Sequence, residues 1–344
     1  MRYERMSGTI SRSDLAAPTA HAQLSGILGG VSRSRAVAVA AELELADILA
    51  SGPSHVDVLA AKTRTDSASL FRLLRALASI GVFEQISPLV FANSAQSELL
   101  RKGVPGSLWA AFRVQSLVAL EAWVELTHSI RTGRPAFNEV HQQGIWEFFR
   151  EHPDTAAVFD ESMRSMTGSS TPAVTTALDW GRFPIIADIG GGIGTQLVHI
   201  LDAHQSCRGI LFDRPDVVKN AISHDRLERI SGDFFQSVPS GANAYLLRMV
   251  IHDWPEPDAL RILSTVRAAM TQSARLLLVE MVVPETVASN WGVWADLGML
   301  ILAGGRERTA TEYRVLMNQA RLEVEEIVPT ASPFSIVVVR RVES

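Results

Sequence analysis

Apolar residues recur at three- and four-residue spacing in "VSRSRAVAVAAELELADILA" (residues 31–50) and again in "SASLFRLLRALASIGVFEQ" (67–85), which predicts two amphipathic helices. Gly81 is placed to cap the second. "FEQISPLVFAN" then reads as a short hairpin turning near Pro88. Helix, turn, helix and hairpin together outline a winged helix. Two tryptophan-bearing segments follow, "SLWAAFRVQSLVALEAWVEL" and "GIWEFFREHPDTAAVFDESMRSMT", each predicted to be a long helix, joined by the polar loop "RTGRPAFNEVHQQ".

After Pro172 the pattern changes. "PIIADIG", "CRGILFD", "ERISGD", "NAYLLRMVI" and "ARLLLVE" are short apolar runs separated by segments of helix length. That alternation predicts βαβ units and a mostly parallel sheet covered by helices. "LEVEEIVPT" and "FSIVVVR" add an antiparallel hairpin at the sheet edge. The expected division is a loose arm over 1–18, a helical winged-helix domain over 19–170 and a sheet domain over 171–344.

Composition narrows the function. A chain of 344 residues exceeds the usual size of one core. The net charge of −5 gives no reason to expect a nucleic-acid partner. The helix of the winged-helix outline that would read DNA carries only Arg72 and Arg75, offset by Asp66, so packing or dimerisation is its expected role. The single Cys207 excludes an internal disulfide and a cysteine-clustered metal site. No apolar run reaches membrane length, and Arg2, Glu4 and Arg5 precede no apolar signal core, so a cytoplasmic location is expected.

Candidate chemistry lies at the ends of the strands. In "ADIGGGIGTQL" the glycines let a ligand approach the backbone, unless the run is only a tight strand–helix turn. Counting from Gly190, Thr195 stands where a dinucleotide fingerprint needs its last glycine, and no G-K-[ST] triplet is present. Asp188 would repel a diphosphate and suits an ammonium group. Asp213 ends the second strand of the sheet, where an acid can accept from both ribose hydroxyls. Asp233 and Phe234, in "SGDFF", could hold an adenine, although at least one of Phe234 and Phe235 is expected only to pack in the core. A nucleoside bearing a cationic amino acid and no phosphate is S-adenosylmethionine. In "LLRMVIHDWPEP" a buried run ends on His252 and Asp253, either as a helix cap or as a general base at the carboxyl end of the sheet.

The motifs "DIGGGIGTQL", "DRPDVV", "GDFF", "IHDWPEPDALRIL", "LLLVE" and "GGRERT", in this order, resemble the class I small-molecule O-methyltransferases typified by plant caffeate and isoflavone enzymes and bacterial antibiotic-pathway enzymes. The resemblance spans about residues 20–342. It implies a Rossmann-like, seven-stranded, mostly parallel sheet and an N-terminal winged-helix domain that forms a homodimer. It implies S-adenosylmethionine as cofactor, held by Asp188, Gly190, Gly192, Asp213, Arg214, Asp233, Phe234, Asp253 and the backbone at Arg248. His252 becomes the general base. Glu280, which should emerge on the same rim, and Glu307 in "GGRERT" flank it, although a surface salt bridge and a charged turn are the plainer readings of those two acids. The resemblance assigns F-x-x-x-M, here Phe159 and Met163, to the acceptor wall; Met166 shares their helix face, and Trp146, Trp291, Met299 and Leu300 are further candidates from flanking helices, although a methionine stripe could also be core.

Asp160 and Ala303 replace asparagines of plant relatives, so a bacterial polyketide, naphthoate or phenazine is the expected acceptor. The chemistry calls for no metal. N- or C-methylation and, more distantly, a winged-helix ligand-sensing regulator are the competing readings.

Overall fold

The computed structural model describes residues 19–286 and 291–342; the arm expected over 1–18 lies outside the described residues. The chain forms two compact units, divided between Glu98 and Leu99.

In the first unit the helices Ala20–Leu28, Gly30–Glu42, Leu45–Ile48, Val56–Thr63 and Ser67–Ala78 are followed by a hairpin. Strands β1 (Ser54–His55), β2 (Phe83–Ser87) and β3 (Val90–Asn93) form an antiparallel sheet in the order β1-β3-β2. Asp66 starts the helix Ser67–Ala78 by accepting the Ser69 N–H at 2.8 Å. Its apolar spacing buries Leu70, Leu74 and Leu77. Gly81 takes φ +81 beyond that helix, a backbone setting that disfavours any residue with a Cβ. The winged-helix outline is therefore present, with β1 added to the expected hairpin.

The second unit opens with helices that differ from the expected pair. The first tryptophan segment runs as Trp109–Val114, one π-helical turn at Gln115–Ala119, and Leu120–Val124. The second is split at Pro153, which has no N–H to extend the preceding helix and instead begins a new one. The result is Ile145–Glu151 followed by Pro153–Ala177, a 25-residue helix that contains Pro172.

Among the described residues nine strands follow: β4 (Ile185–Ile189), β5 (Arg208–Asp213), β6 (Leu227–Ser231), β7 (Ala244–Arg248), β8 (Arg275–Glu280), β9 (Val282–Val283), β10 (Arg308–Thr309), β11 (Leu322–Pro329) and β12 (Ser335–Arg341). Seven of them form one sheet in the order β11-β12-β8-β7-β4-β5-β6. The five strands from β8 to β6 are parallel, and β12 pairs antiparallel with both β8 and β11. Only β11 of the expected edge hairpin lies at the edge. Every residue of β7 is buried, as a strand covered on both faces requires. The chain leaves β4 toward β5 on one side and later returns to β7 on the other. That reversal opens a crevice at the carboxyl ends of β4 and β7, where ligands of such sheets bind.

Arg248, the last residue of β7, ties the long helix to the sheet. Its guanidinium donates to Thr171 Oγ1 (2.9 Å), Gln196 Oε1 (2.5 Å), Ser170 Oγ (2.5 Å) and the Thr167 carbonyl (3.2 Å). Burial pulls its pKa down to about 10 against the pull of Asp188, so it remains a cation at neutral pH. From sequence only the backbone at Arg248 was assigned a part; its side chain makes these four hydrogen bonds. Replacing Arg248 with Met would strand those acceptors and leave Asp188 without its nearby cation. We expect a loss of about 3 kcal/mol of unfolding free energy, measured by urea denaturation. An unchanged midpoint would remove Arg248 from this role.

Candidate active site

His252 lies in a single 3-10 turn, Ile251–Asp253, immediately beyond β7. Glu280, the last residue of β8, fixes that turn through its backbone. Its Oε1 accepts the N–H groups of Val250 (3.2 Å) and Ile251 (2.9 Å), while its Oε2 stands 3.4 Å from His252 Nδ1. A surface salt bridge is thereby replaced by a buried anchor, since Glu280 is fully shielded. Glu307 Oε1 meets the same Nδ1 at 2.9 Å. A carboxylate only accepts, so Nδ1 carries the proton and Nε2 is left as the basic nitrogen. Asp253 Oδ1 lies 3.4 Å from Nε2.

The loop bearing Glu307 is held by contacts that residue type alone does not announce. Arg306 N–H donates to the His252 carbonyl at 2.8 Å, and Asp296 Oδ1 accepts the Glu307 N–H at 2.9 Å. Gly305 permits this approach, because a Cβ there would fall 1.9 Å from the His252 oxygen. The doubled glycine of "GGRERT" was the available signal for Gly305. Asp296, inside an otherwise apolar helix, was the available signal for its own role.

Only 5% of His252 is exposed, and Glu280 and Glu307 are equally enclosed. Burial acts to lower the imidazole pKa, but Glu280, Asp253 and Glu307 outweigh it and hold the ring at about 10. Burial pushes the Glu280 carboxyl up to about 7 and that of Asp253 up to about 6, each opposed by His252. The Nδ1 and carboxylate oxygens of His252, Glu280 and Glu307 lie within 4.8 Å of one another, close enough in principle for a metal. The Nδ1–H···Oε1 bond already occupies two of those atoms.

On the neighbouring strand ends the glycine run forms a cradle. Gly190, Gly192 and Gly194 have positive φ, and a Cβ on Gly191 would lie 2.5 Å from Asp188 Cγ. Beside Gly190 stand Val250 and the ring of Phe234. Asp188 Oδ1 is buried with no hydrogen-bond partner, and desolvation lifts the carboxyl to about 7 despite Arg248. Asp213 accepts the N–H of Gly192 (2.8 Å) and of Arg214 (2.7 Å), which ties the glycine turn to β5. The Arg214 side chain is exposed and pairs with Asp216 at 3.3 Å. Asp233 caps its own turn through the Phe235 N–H at 2.9 Å. An orphaned buried acid beneath a cradle that side chains would fill suits a cationic amino-acid ligand without phosphates.

The aromatic side chains form a continuous group. Trp254 meets Phe234 at 5.9 Å, Phe235 at 4.8 Å and Trp146 at 6.2 Å, the last with ring planes 25° apart. Trp146 in turn meets Phe159, and both pack with Phe149, Ile301, Leu302 and Ala303. Sequence reasoning assigned no part to Trp254, although it adjoins the base. Met163 and Met299 are half-buried, whereas Met166 packs against the core beneath the sheet and Trp291 is 67% exposed. The structure thus groups Trp146 with Phe159 and leaves Met166 and Trp291 apart from them.

Comparison with known proteins follows the same lines. The O-methyltransferase domain family matches residues 123–322, and the O-methyltransferase dimerisation domain matches residues 25–103. This chain belongs to the S-adenosylmethionine-dependent O-methyltransferases. It is 37% identical to a phenazine O-methyltransferase of Lysobacter antibioticus over 88% of this chain and 91% of that protein. The crystal structure of a mitomycin 7-O-methyltransferase superposes with a TM-score of 0.88 at 35% identity, covering 94% of this chain and 98% of the other. A neocarzinostatin-pathway O-methyltransferase, solved with S-adenosylmethionine and 2-hydroxy-5-methyl naphthoic acid, gives 0.79 at 31% identity, covering 90% and 96%.

The methyltransferase uses S-adenosylmethionine and is a homodimer through its N-terminal domain. Leu24, Ile27, Leu28 and Val31, at helical spacing and 70–85% exposed, offer apolar surface for a second copy to cover. Among the described residues no helix is long and apolar enough to cross a membrane.

The loop contact makes a sharp test. Gly305→Ala would push Glu307 away from His252, and we expect methyl transfer to fall about a hundredfold. Wild-type turnover by this variant would show that the close approach is dispensable.

Proposed function

We propose that this methyltransferase moves the methyl group of S-adenosylmethionine to a hydroxyl of a planar aromatic secondary metabolite, with His252 as general base. The observation that carries the reading is the buried imidazole whose Nδ1 is engaged by Glu307 and Glu280, so that Nε2, when unprotonated, is the nitrogen that takes the hydroxyl proton. Phenols ionise near pH 10, so attack at neutral pH gains from removal of that proton as the oxygen becomes nucleophilic. When bound, the donor supplies an electrophilic methyl on a sulfonium centre.

The chain's own residues position and deprotonate. Asp188 and the carbonyls of the glycine turn would receive the donor's ammonium group, Asp213 its ribose, and Asp233 with Phe234 its adenine. Arg214 contributes its N–H to orienting Asp213, and Arg248 acts through the framework it ties together. Glu280 holds the backbone of the base, Glu307 fixes its tautomer, and Asp253 faces the working nitrogen. Trp146, Phe159, Met163 and Met299 would line the acceptor side together with Trp254. Flat aromatic rings are the acceptors this wall suits, and phenazine, mitomycin and a naphthoic acid appear in the names of its relatives. A cytoplasmic location fits the one buried thiol, Cys207.

The test is incubation with methyl-labelled S-adenosylmethionine and a panel of hydroxylated naphthoates, anthraquinones, phenazines and catechols, with products identified by mass spectrometry. We expect methyl ethers from the parent and a loss of at least about a hundredfold in His252→Ala. Equal turnover in both proteins would remove His252 from the reaction, and N-methyl products would reassign the acceptor atom.

The pH dependence follows from the charges around the ring. The base works only when deprotonated, and its pKa is raised, so kcat/KM should rise with pH through a limb above the ordinary imidazole value. Glu307→Gln removes one anion beside Nδ1, so the imidazole pKa falls and the limb moves to lower pH. A limb that stays in place would mean that another group sets it.

A further inference from the structure

Around the buried carboxylates of the site, four buried polar atoms have no hydrogen-bond partner among the described residues: Glu280 Oε2, Glu307 Oε2, Arg308 Nη2 and Tyr313 Oη. Two are acceptors and two are donors. Arg308 is 1% exposed and Tyr313 is fully buried, so open solvent satisfies neither.

Chain geometry brings the four groups together. Glu280 closes β8, and one residue later β9 pairs with β10 in the register Arg308↔Val282. Thr309 and Glu312 then form a reciprocal capping box that starts the helix Ala310–Gln319 and so fixes Tyr313 on its first turns. Apart from its burial, the Tyr313 hydroxyl senses the charges of Glu280, Glu307 and Arg308 together. Among the described residues the guanidinium of Arg308 donates to the Arg306 carbonyl at 3.2 Å. A cation enclosed this deeply requires anionic compensation, and Glu280, Glu307 and Glu312 act with it on the same Tyr313 hydroxyl. Buried donors and acceptors left unpaired in one charged neighbourhood are the usual setting for a trapped water, which makes two to four such bonds.

We propose that Arg308 and Tyr313 are positioning residues for methyl transfer. Through water held among these four atoms, they donate to the outer oxygens of Glu280 and Glu307 and hold both acids oriented against His252. This rests on the function proposed above. The charged and titratable groups around the network come from every neighbouring element. Asp253 faces the ring from its own turn, Glu280 from β8 and Glu307 from the loop. Arg308 on β10 and Tyr313 on the following helix stand behind the acids. Asp296 holds the Glu307 N–H from the helix Trp291–Leu302, and the charges of Arg306 and Glu312 reach Asp296.

The first arm of the test needs no turnover. An atomic-resolution crystal structure of the full chain should show ordered water within hydrogen-bonding distance of Tyr313 Oη and the two glutamate oxygens; a dry site overturns the proposal. The second arm is kinetic. Tyr313→Phe, which removes a single oxygen, should lower kcat about tenfold with KM for donor and acceptor unchanged. Arg308→Met removes a cation and should move the acid limb of the pH profile up by about one unit, and Arg308→Lys should restore it. Wild-type kcat in Tyr313→Phe overturns the positioning role even if the water is present, and covers the case in which Arg308→Met fails to fold. Full turnover by His252→Ala would sink the parent reading while leaving the crystallographic result to stand or fall by itself.

Discussion

An ionisable ring enclosed with three carboxylates is the constraint on which the rest of this site depends. Each charge removed from water costs several kcal/mol unless other groups answer it. His252 answers Glu280, Glu307 and Asp253, and they answer it. The arrangement survives only while backbone groups keep the acids in place. Glu280 therefore binds two N–H groups of the turn that carries the imidazole, and the Glu307 loop is fastened to the His252 carbonyl and to Asp296. Electrostatics and chain path are here the same problem.

The donor side follows the same logic with fewer charges. Asp188 is buried near the end of β4, and among the described residues one of its oxygens has no hydrogen-bond partner; burial raises its carboxyl to about 7 against the pull of Arg248. The Arg248 guanidinium is committed to the long helix and to Gln196, so it cannot swing across to pair with the acid directly. An acid partly unanswered by a restrained arginine suits the ammonium group proposed for it. The glycine turn keeps the space above it clear of side chains.

Much of this was legible in the chain, for identifiable reasons. Periodicity exposed the parallel strands because burial on both faces leaves uninterrupted apolar runs such as "LLLV". Residues that close those runs, His252 and Glu280, announce themselves because a charge at the end of a core strand has few places to go. Glu307 was legible only through family resemblance, since "RERT" by itself reads as a turn. What stayed hidden acts through backbone or shape. Asp296 receives an N–H from a loop eleven residues away, and Gly305 matters for the atom it lacks. The helix break at Pro153 was visible as a proline and was read past, because the apolar spacing continues on both sides.

The site divides into a hydrogen-bonded part and an aromatic part. His252, its acids and the glycine turn hang from strand ends and from loops clamped by backbone hydrogen bonds, where small displacements are costly. The aromatic group is built otherwise. Trp146 and Phe159 project from the helices Ile145–Glu151 and Pro153–Ala177; Trp146 stacks on Trp254 and meets Phe159 edge-on. Such contacts carry little directional demand, so their side chains can change without disturbing the hydrogen-bonded rim. Trp254 belongs to both parts. It follows His252 by two residues and touches Phe234 on one side and Trp146 on the other. The rings of Phe159, Trp146, Trp254 and Phe234 therefore make one chain of contacts from the helices to the glycine turn.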